Sequence, residues 1–470
     1  MKTQFQLLLA SSLASFVLLS CSSTSKNPAG TGARTGAEEA VKDLPASAKK
    51  ESKTGYRLPN FTEKKLANGL TILFVPDDKL PYVSYSLLVR AGAVQDPEGL
   101  SGLAAMVAEL LDKGTKKRQA TQIANELGLM GAEFDATASM EHTLISASAL
   151  SMQAEPLLKN MLEIVMEPTF SEKEVERMRK QLLSSIERRV DSPEAFTELA
   201  FDSFLYGTHP YSRPVSGNLK SVAAIKKKHI IQHYLRFYRP NNSILAVVGK
   251  YTPELASKIE AGFGAWQSRE VPKIDYPAVT PITGVQIELI DKPGAVQAQL
   301  KFGNLGIARA NPDFVAIRIA NTILGGAFAS RLSDRVRKQL GLTYSISSSF
   351  DARMDRGPFE ISTFTKNVSV GQTVSETLKV LSEFREKGVT QFEVDMTKGY
   401  LKGVFPTNIE TAEKLAFNLM LLRFYGIPDS YLTNYLSEVD RLSASDINGV
   451  IKKYVDDKNL KVVVYTTASE

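Results

Sequence analysis

The chain has 470 residues, 43% hydrophobic and 23% charged, a balance that fits folded domains and excludes both a disordered chain and one small domain. Its 57 basic and 51 acidic residues leave a formal charge of +6, too mild for this length to imply nucleic acid, and no RNA- or DNA-binding motif is present. The single cysteine, Cys21, excludes an internal disulfide.

Lys2 followed by the run Phe5 to Leu19, too short and Ser-rich to span a bilayer as a stable helix, predicts a targeting segment. The run ends Leu18-Leu19-Ser20-Cys21, which resembles a bacterial lipobox. Residues 1–21 are therefore expected to be a lipoprotein signal peptide with Cys21 lipidated, the blander alternative being an incidental cysteine in a cleaved leader. Ser22 rather than Asp follows, which by the same resemblance favours the outer membrane, on its periplasmic side, over retention at the inner membrane. Residues 22–55, rich in Ser, Ala, Gly and Lys, read as a flexible tether.

Globular sequence starts near Tyr56. An Asn68-Gly69 turn lies between apolar runs and predicts a hairpin. Tyr82 to Ala93 reads as a strand, Thr121 to Leu129 as a helix, Gly131 to Thr143 and Leu144 to Leu150 as neighbouring strands. Ser171 to Val190 is a charged helix with Glu172, Glu174 and Glu176 early and Arg188 and Arg189 late, in the sense of the helix dipole. Ser192-Pro193 starts the next helix, which ends near Tyr206-Gly207; Lys226 to Phe237 is helical and Ser243 to Gly249 is a strand. The Pro-containing stretch 271–285 reads as a linker.

Beyond the linker the pattern recurs. Leu199-Ala-Phe201 with Tyr206-Gly207 is echoed by Leu415-Ala-Phe417 with Tyr425-Gly426, and Ile230 to Val248 by Ile447 to Tyr465. A duplication of units of about 200 residues is the simplest account, dividing the chain into residues 56–270 and 286–470. Each unit mixes antiparallel-type strands with long helices, so the class is α+β.

The stretch Gly102-Leu-Ala-Ala-Met-Val-Ala-Glu-Leu-Leu-Asp-Lys-Gly-Thr115 resembles the active-site helix of the pitrilysin/insulinase zinc peptidases, the family that includes mitochondrial processing peptidase. That helix reads G-x-A-H-x-x-E-H, then a run ending K-G-T. Gly102, Ala104 and Lys113-Gly114-Thr115 are in place, but the histidine positions fall on Ala105 and Glu109 and the general-base position on Ala108. Positions i and i+4 share one helix face and one metal, while the intervening Glu activates water; alanine can do neither. The family's third ligand, a Glu in an L-E-E-I-like run, corresponds to Ser185 in Leu183-Ser184-Ser185-Ile186. His229 and His233 have zinc-compatible i, i+4 spacing, but no Glu lies between them and no third ligand is evident, so structural roles are expected, as for His142 and His209.

The resemblance covers roughly Leu58 to Thr467 and departs from the active pattern at the metal. It implies two homologous halves, each a mainly antiparallel sheet packed with helices, arranged as a clam-like chamber, with the Gly131–Thr143 stretch as the edge strand that pairs extended peptide. Active members carry an Arg and a Tyr in the second half with six residues between them, which donate hydrogen bonds to the substrate carbonyl and its developing oxyanion. Arg337 and Tyr344 have that spacing, within a segment where a helix is expected to end near Leu340, Gly341 to follow it and a strand to begin at Leu342. By resemblance to the family's two-chain members, the chain is expected to hold no cofactor. It would serve as the non-catalytic subunit of a heterodimeric metalloendopeptidase, with zinc in the partner and Arg337 and Tyr344 acting in trans. The alternative is a stand-alone pseudopeptidase lipoprotein that binds peptides or scaffolds envelope proteins.

Overall fold

The Asn68-Gly69 turn joins β1 (Thr62–Lys65) to β2 (Thr71–Pro76), with Gly69 at φ 92°, a left-handed conformation open to glycine. The structure, a computed structural model, describes residues 59–467; the expected signal peptide, Cys21 and tether lie outside the described residues. With β3 (Tyr82–Val89), β4 (Glu133–Ala138), β5 (Thr143–Leu150) and β6 (Ser243–Gly249), the hairpin forms a sheet ordered β1-β2-β6-β3-β5-β4, parallel only between β2 and β6. A second sheet contains β7 (Val285–Asp291), β8 (Ala298–Leu305), β9 (Ile346–Phe350), β10 (Pro358–Thr365) and β11 (Leu460–Thr466). Its order is β7-β11-β8-β10-β9, parallel only between β7 and β11. Position by position, β7 to β11 repeat β2 to β6, and the echoed segments ending in β6 and β11 occupy the same place in each sheet.

The first half carries α1 (Leu103–Leu110), α2 (Ala120–Leu129), α3 (Ala154–Met166), α4 (Glu172–Val190), α5 (Pro193–Tyr206), α6 (Leu219–Ala224), α7 (Lys227–Phe237) and α8 (Pro253–Gly264). The second carries α9 (Phe314–Asn321), α10 (Val370–Lys387), α11 (Gln391–Val404), α12 (Ala412–Tyr425), α13 (Ser430–Arg441) and α14 (Ala444–Tyr454). The helix starts are written locally: Ser171 Oγ accepts the Glu174 amide ahead of α4, and Ser192 does the same for Ala195 with Pro193 in the first turn of α5.

Two helices cross between the halves, and they are the pair whose sequences echo. α5 packs on β8 and β11 of the second sheet, and α12 on β2 and β6 of the first. Leu73, Val75, Ile244 and Ala246 of the first sheet accordingly share one core with Leu415 and Leu419, while Phe201 packs with Val463 of the second sheet. Burying such aliphatic and aromatic side chains stabilises the join by about 1.5–3 kcal/mol each. Lys301, 4% exposed on β8, adds an ion pair to Glu198 of α5 and another at 2.8 Å to Glu360. The expected linker has no regular element between Gly264 and Val285, yet Ile274, Tyr276, Val279 and Ile282 pack against this join.

The structure corrects three expected boundaries. β3 ends at Val89 rather than near Ala93, the edge strand β4 ends at Ala138 rather than Thr143 because residues 139–142 turn into β5, and pairing after Gly341 begins at Ile346 rather than Leu342. Thr343 Oγ1 accepts the Ser345 amide at 3.1 Å, and Thr343 and Thr363 hydroxyls both donate to the Ser345 carbonyl, at 2.9 and 2.8 Å. These bonds occupy the Ser345 backbone groups before a strand can use them. The helix ahead ends as expected, with Gly341 at φ 62°, although Ser333–Gln339 is wound as a π-helix. Among the described residues no helix is long and apolar enough to cross a membrane.

Candidate functional site

The start of α1 is fixed by two close backbone approaches. Gly102 has φ 95°, and a Cβ on it would come within 2.9 Å of the Ser216 carbonyl; a Cβ on Gly217 would come within 2.2 Å of the Ser101 carbonyl. The Asp96 carboxylate, 3% exposed, accepts the amides of Gly102, Leu103 and Ala104 at 2.8, 3.2 and 2.9 Å, groups that the helix leaves unpaired. Burial pushes the Asp96 carboxyl up to about 7 despite those three bonds and the nearby Arg213 charge.

This anchoring presents one face of α1 to a cavity of about 440 Å³. Ala105 and Glu109 line it with Thr137 and Ala138 of β4 and Gln181 and Ser185 of α4. The three positions expected to correspond to the family's metal ligands are thus brought together beside the outer edge of the first sheet. Ala108, at the expected base position, is fully buried in the core. Arg189 closes part of the rim by donating to Ser216 Oγ at 2.7 Å. Burial raises the Glu109 carboxyl; Lys113 opposes this, and Asp135 and Asp112 add to it. A catalytic zinc site uses three protein ligands, and Ala105, Glu109 and Ser185 supply one carboxylate. The residues do not fit a zinc ion, and among the described residues no group of three His, Cys, Asp or Glu side chains could hold a metal.

The histidine pair of α7 is divided. His233 is 4% exposed against Phe237, and burial, with Arg236 beside it, lowers it to about 3. His229 lies nearer the surface and accepts the Lys226 amide at 3.1 Å through Nδ1. His142 is half-buried beside Phe424, and His209 is buried beside Tyr211.

Arg337 and Tyr344 lie in the second half. The Arg337 guanidinium carbon stands 5.0 Å from the Tyr344 ring centre and 4.4 Å from that of Phe328. Tyr344 is 77% and Phe328 70% exposed. The neighbouring arginines are committed elsewhere, Arg331 to Glu393 at 2.7 Å and Arg335 to Glu376 at 2.8 Å, whereas the Arg337 guanidinium has no hydrogen bond or ion pair among the described residues. An exposed cation–π contact contributes about 0.5–1 kcal/mol, too little to withhold the guanidinium from a carboxylate or carbonyl. The sequence points to Arg337 and Tyr344 but not to Phe328, whose part depends on the π-wound segment bringing the three together.

Residues 72–218 match the family model for insulinase (peptidase family M16), and residues 224–401 match the one described as the peptidase M16 inactive domain. An uncharacterized zinc protease of Mycobacterium leprae is 26% identical over 429 residues, covering 90% of this chain and 95% of its own. The non-peptidase homolog YmxG of Helicobacter pylori is 23% identical over 400 residues, 84% of this chain and 91% of its own. Among solved structures, a peptidase M16 inactive domain from Pseudomonas fluorescens superposes with a TM-score of 0.80 at 28% identity, covering 87% of this chain and 98% of its own. A protease from Helicobacter pylori shares the fold, with a TM-score of 0.80 at 22% identity over 87% of this chain and all of its own. With both family models matched in order along one two-halved fold, the chain belongs to the insulinase (M16) peptidase family.

Proposed function

We propose that this chain is the metal-free subunit of a two-chain zinc endopeptidase, lending Arg337 and Tyr344 to a zinc-bearing homologue. One observation carries the reading: the Arg337 guanidinium stands beside an exposed phenol with no carboxylate on it among the described residues, in a chain whose positions corresponding to the metal ligands are Ala105, Glu109 and Ser185. The two donors are kept where the metal set is not. A permanent cation and a hydroxyl suit the negative charge that develops on a peptide carbonyl under attack. The Helicobacter pylori relative named as a non-peptidase homolog supports a member without hydrolysis of its own. Lipidation at Cys21 would hold the subunit at the periplasmic side of the outer membrane.

The second reading, a stand-alone pseudopeptidase, is favoured by the cavity of about 440 Å³ beside the unpaired edge of β4, which could take an extended peptide by strand addition. Affinity purification from the native envelope with mass spectrometry separates the two. The subunit reading expects a stoichiometric homologue carrying an intact H-x-x-E-H motif; purification without one moves the second reading ahead.

A further inference from the structure

Glu141 is 4% exposed in the turn that joins β4 to β5. The turn is set locally, with the Ser139 amide donating to the His142 carbonyl at 2.7 Å and Ser139 Oγ accepting the His142 amide at 3.1 Å. Gly92 backs it, where a Cβ would come within 2.6 Å of the Glu141 nitrogen. From this turn the side chain reaches out of the first half. Its carboxylate accepts the Tyr211 hydroxyl, the Met354 amide at 2.9 and 3.2 Å, and the Tyr425 hydroxyl at 3.4 Å.

The origin of these donors gives the contact its meaning. Met354 lies in the loop between β9 and β10, the counterpart of the turn that carries Glu141. Tyr425 ends α12 and Tyr211 follows α5, the two helices that cross between the halves. The two equivalent turns, the end of α12 and the segment that follows α5 therefore meet on one carboxylate. The β9–β10 loop is held to the first half nearby as well. The Asp355 amide donates to Tyr211 Oη at 3.2 Å, the Tyr206 hydroxyl donates to the Arg356 carbonyl at 3.0 Å, and Arg353 stands 4.9 Å over the Tyr211 ring. Other polar atoms at this join are left short, since Arg353 Nη1 and Asp202 Oδ1 are buried without a hydrogen-bond partner. Burial raises the Glu141 carboxyl, and the Tyr211, Met354 and Tyr425 donors and the Arg353 charge pull it back; removing the carboxylate leaves the buried Tyr211 hydroxyl and the part-buried Met354 amide and Tyr425 hydroxyl without this acceptor.

We propose that Glu141 is a positioning residue that fixes the β9–β10 loop, and through it the edge strand that follows Tyr344, against the first half. The degenerate half then serves as the buttress for the half that carries Arg337 and Tyr344. The inference rests on the in-trans role proposed above for that pair.

Amide exchange of the isolated chain and steady-state kinetics of its mixture with the zinc-bearing homologue test it. Glu141→Ala should speed exchange across residues 346–354 by about tenfold or more. It should also lower kcat of the mixture by roughly tenfold, the scale of a small misplacement of reacting groups, with KM and subunit association unchanged. Glu141→Gln, which keeps an acceptor oxygen, should restore most of both. Should Glu141→Ala not fold, Tyr425→Phe keeps the ring, removes one donor to Glu141 without touching the Asp355 contact, and should move exchange in the same direction by a smaller amount. Wild-type exchange at residues 346–354 in the folded variant overturns the proposal. So does faster exchange with unchanged kcat in a mixture where Arg337→Ala does lower turnover. If Arg337→Ala leaves turnover unchanged, the in-trans reading has failed instead, and exchange alone decides whether Glu141 holds the loop.

Discussion

The Arg337 guanidinium lies 5.0 Å over the ring of Tyr344, and no acidic side chain among the described residues neutralises it, although Glu393 and Glu376 hold the arginines six and two positions earlier. An exposed contact of this kind contributes only about 0.5–1 kcal/mol, so stability alone does not account for the pairing, and the proposed role is to meet a ligand.

The lost metal site is restorable in principle because its three ligand positions still line one cavity. Ala105→His, Glu109→His and Ser185→Glu together should bind about one zinc per chain, while each single variant should bind none tightly. Elemental analysis after gel filtration checks this. Tight stoichiometric zinc in the unmodified chain would contradict the reading of the cavity.

Gly102→Ala should destabilise the protein by roughly 2 kcal/mol, because a left-handed backbone is costly for any residue with a Cβ. Here that Cβ would also meet the Ser216 carbonyl at 2.9 Å. Denaturant midpoints with unchanged slope would measure it.

Acid should draw stability out through His233. Its folded value, about 3, lies below the ordinary histidine value of 6.5, so the unfolded chain takes the proton first as pH falls. The stability is whole above about pH 6.5 and is lost progressively toward pH 3. His142, lowered by burial to about 4, acts in the same sense. Asp96 and Asp202, raised by burial to about 7, act in the opposite sense, since the folded state holds their protons as pH falls below 7. Comparison with His233→Gln isolates the histidine: between pH 6 and 4 the variant should lose less stability than the parent, by about 1.4 kcal/mol per pH unit. Parallel stability curves would show that His233 does not titrate in this way.

Much of the fold is legible where the cause is local. Asn68-Gly69 needs a left-handed turn, Ser171 and Ser192-Pro193 start helices with their own side chains, and the Leu-Ala-Phe echoes mark the two helices that cross between sheets. The alignment that places Ala105, Glu109 and Ser185 on vanished ligands is also local, and the cavity gathers all three. What escapes is set by irregular winding and by contacts between separate elements. The strand after Gly341 is delayed by Thr363, the contact of Phe328 with Arg337 depends on a π-wound helix, and Glu141 meets Met354 across 213 residues. Hydrophobic period and capping residues encode none of these.

On the proposed lipidation, Cys21→Ala should move the protein from the membrane pellet to the soluble fraction in detergent-free buffer, because the variant cannot carry the lipid chain that would supply the attachment. Continued sedimentation with membranes would count against lipidation at that residue.

The most direct measurement is peptide turnover by the chain alone, by its H-x-x-E-H homologue alone, and by the two mixed. The chain alone should be inactive, and mixing should raise turnover. In the mixture, Arg337→Ala and Tyr344→Phe should each lower kcat by about 100-fold, the effect of losing one donor to an oxyanion, near 3 kcal/mol, with association of the two chains unchanged. Arg335 cannot substitute while it holds Glu376. Hydrolysis by the chain alone, or wild-type turnover by mixtures containing both variants in the assembled state, would contradict the in-trans role.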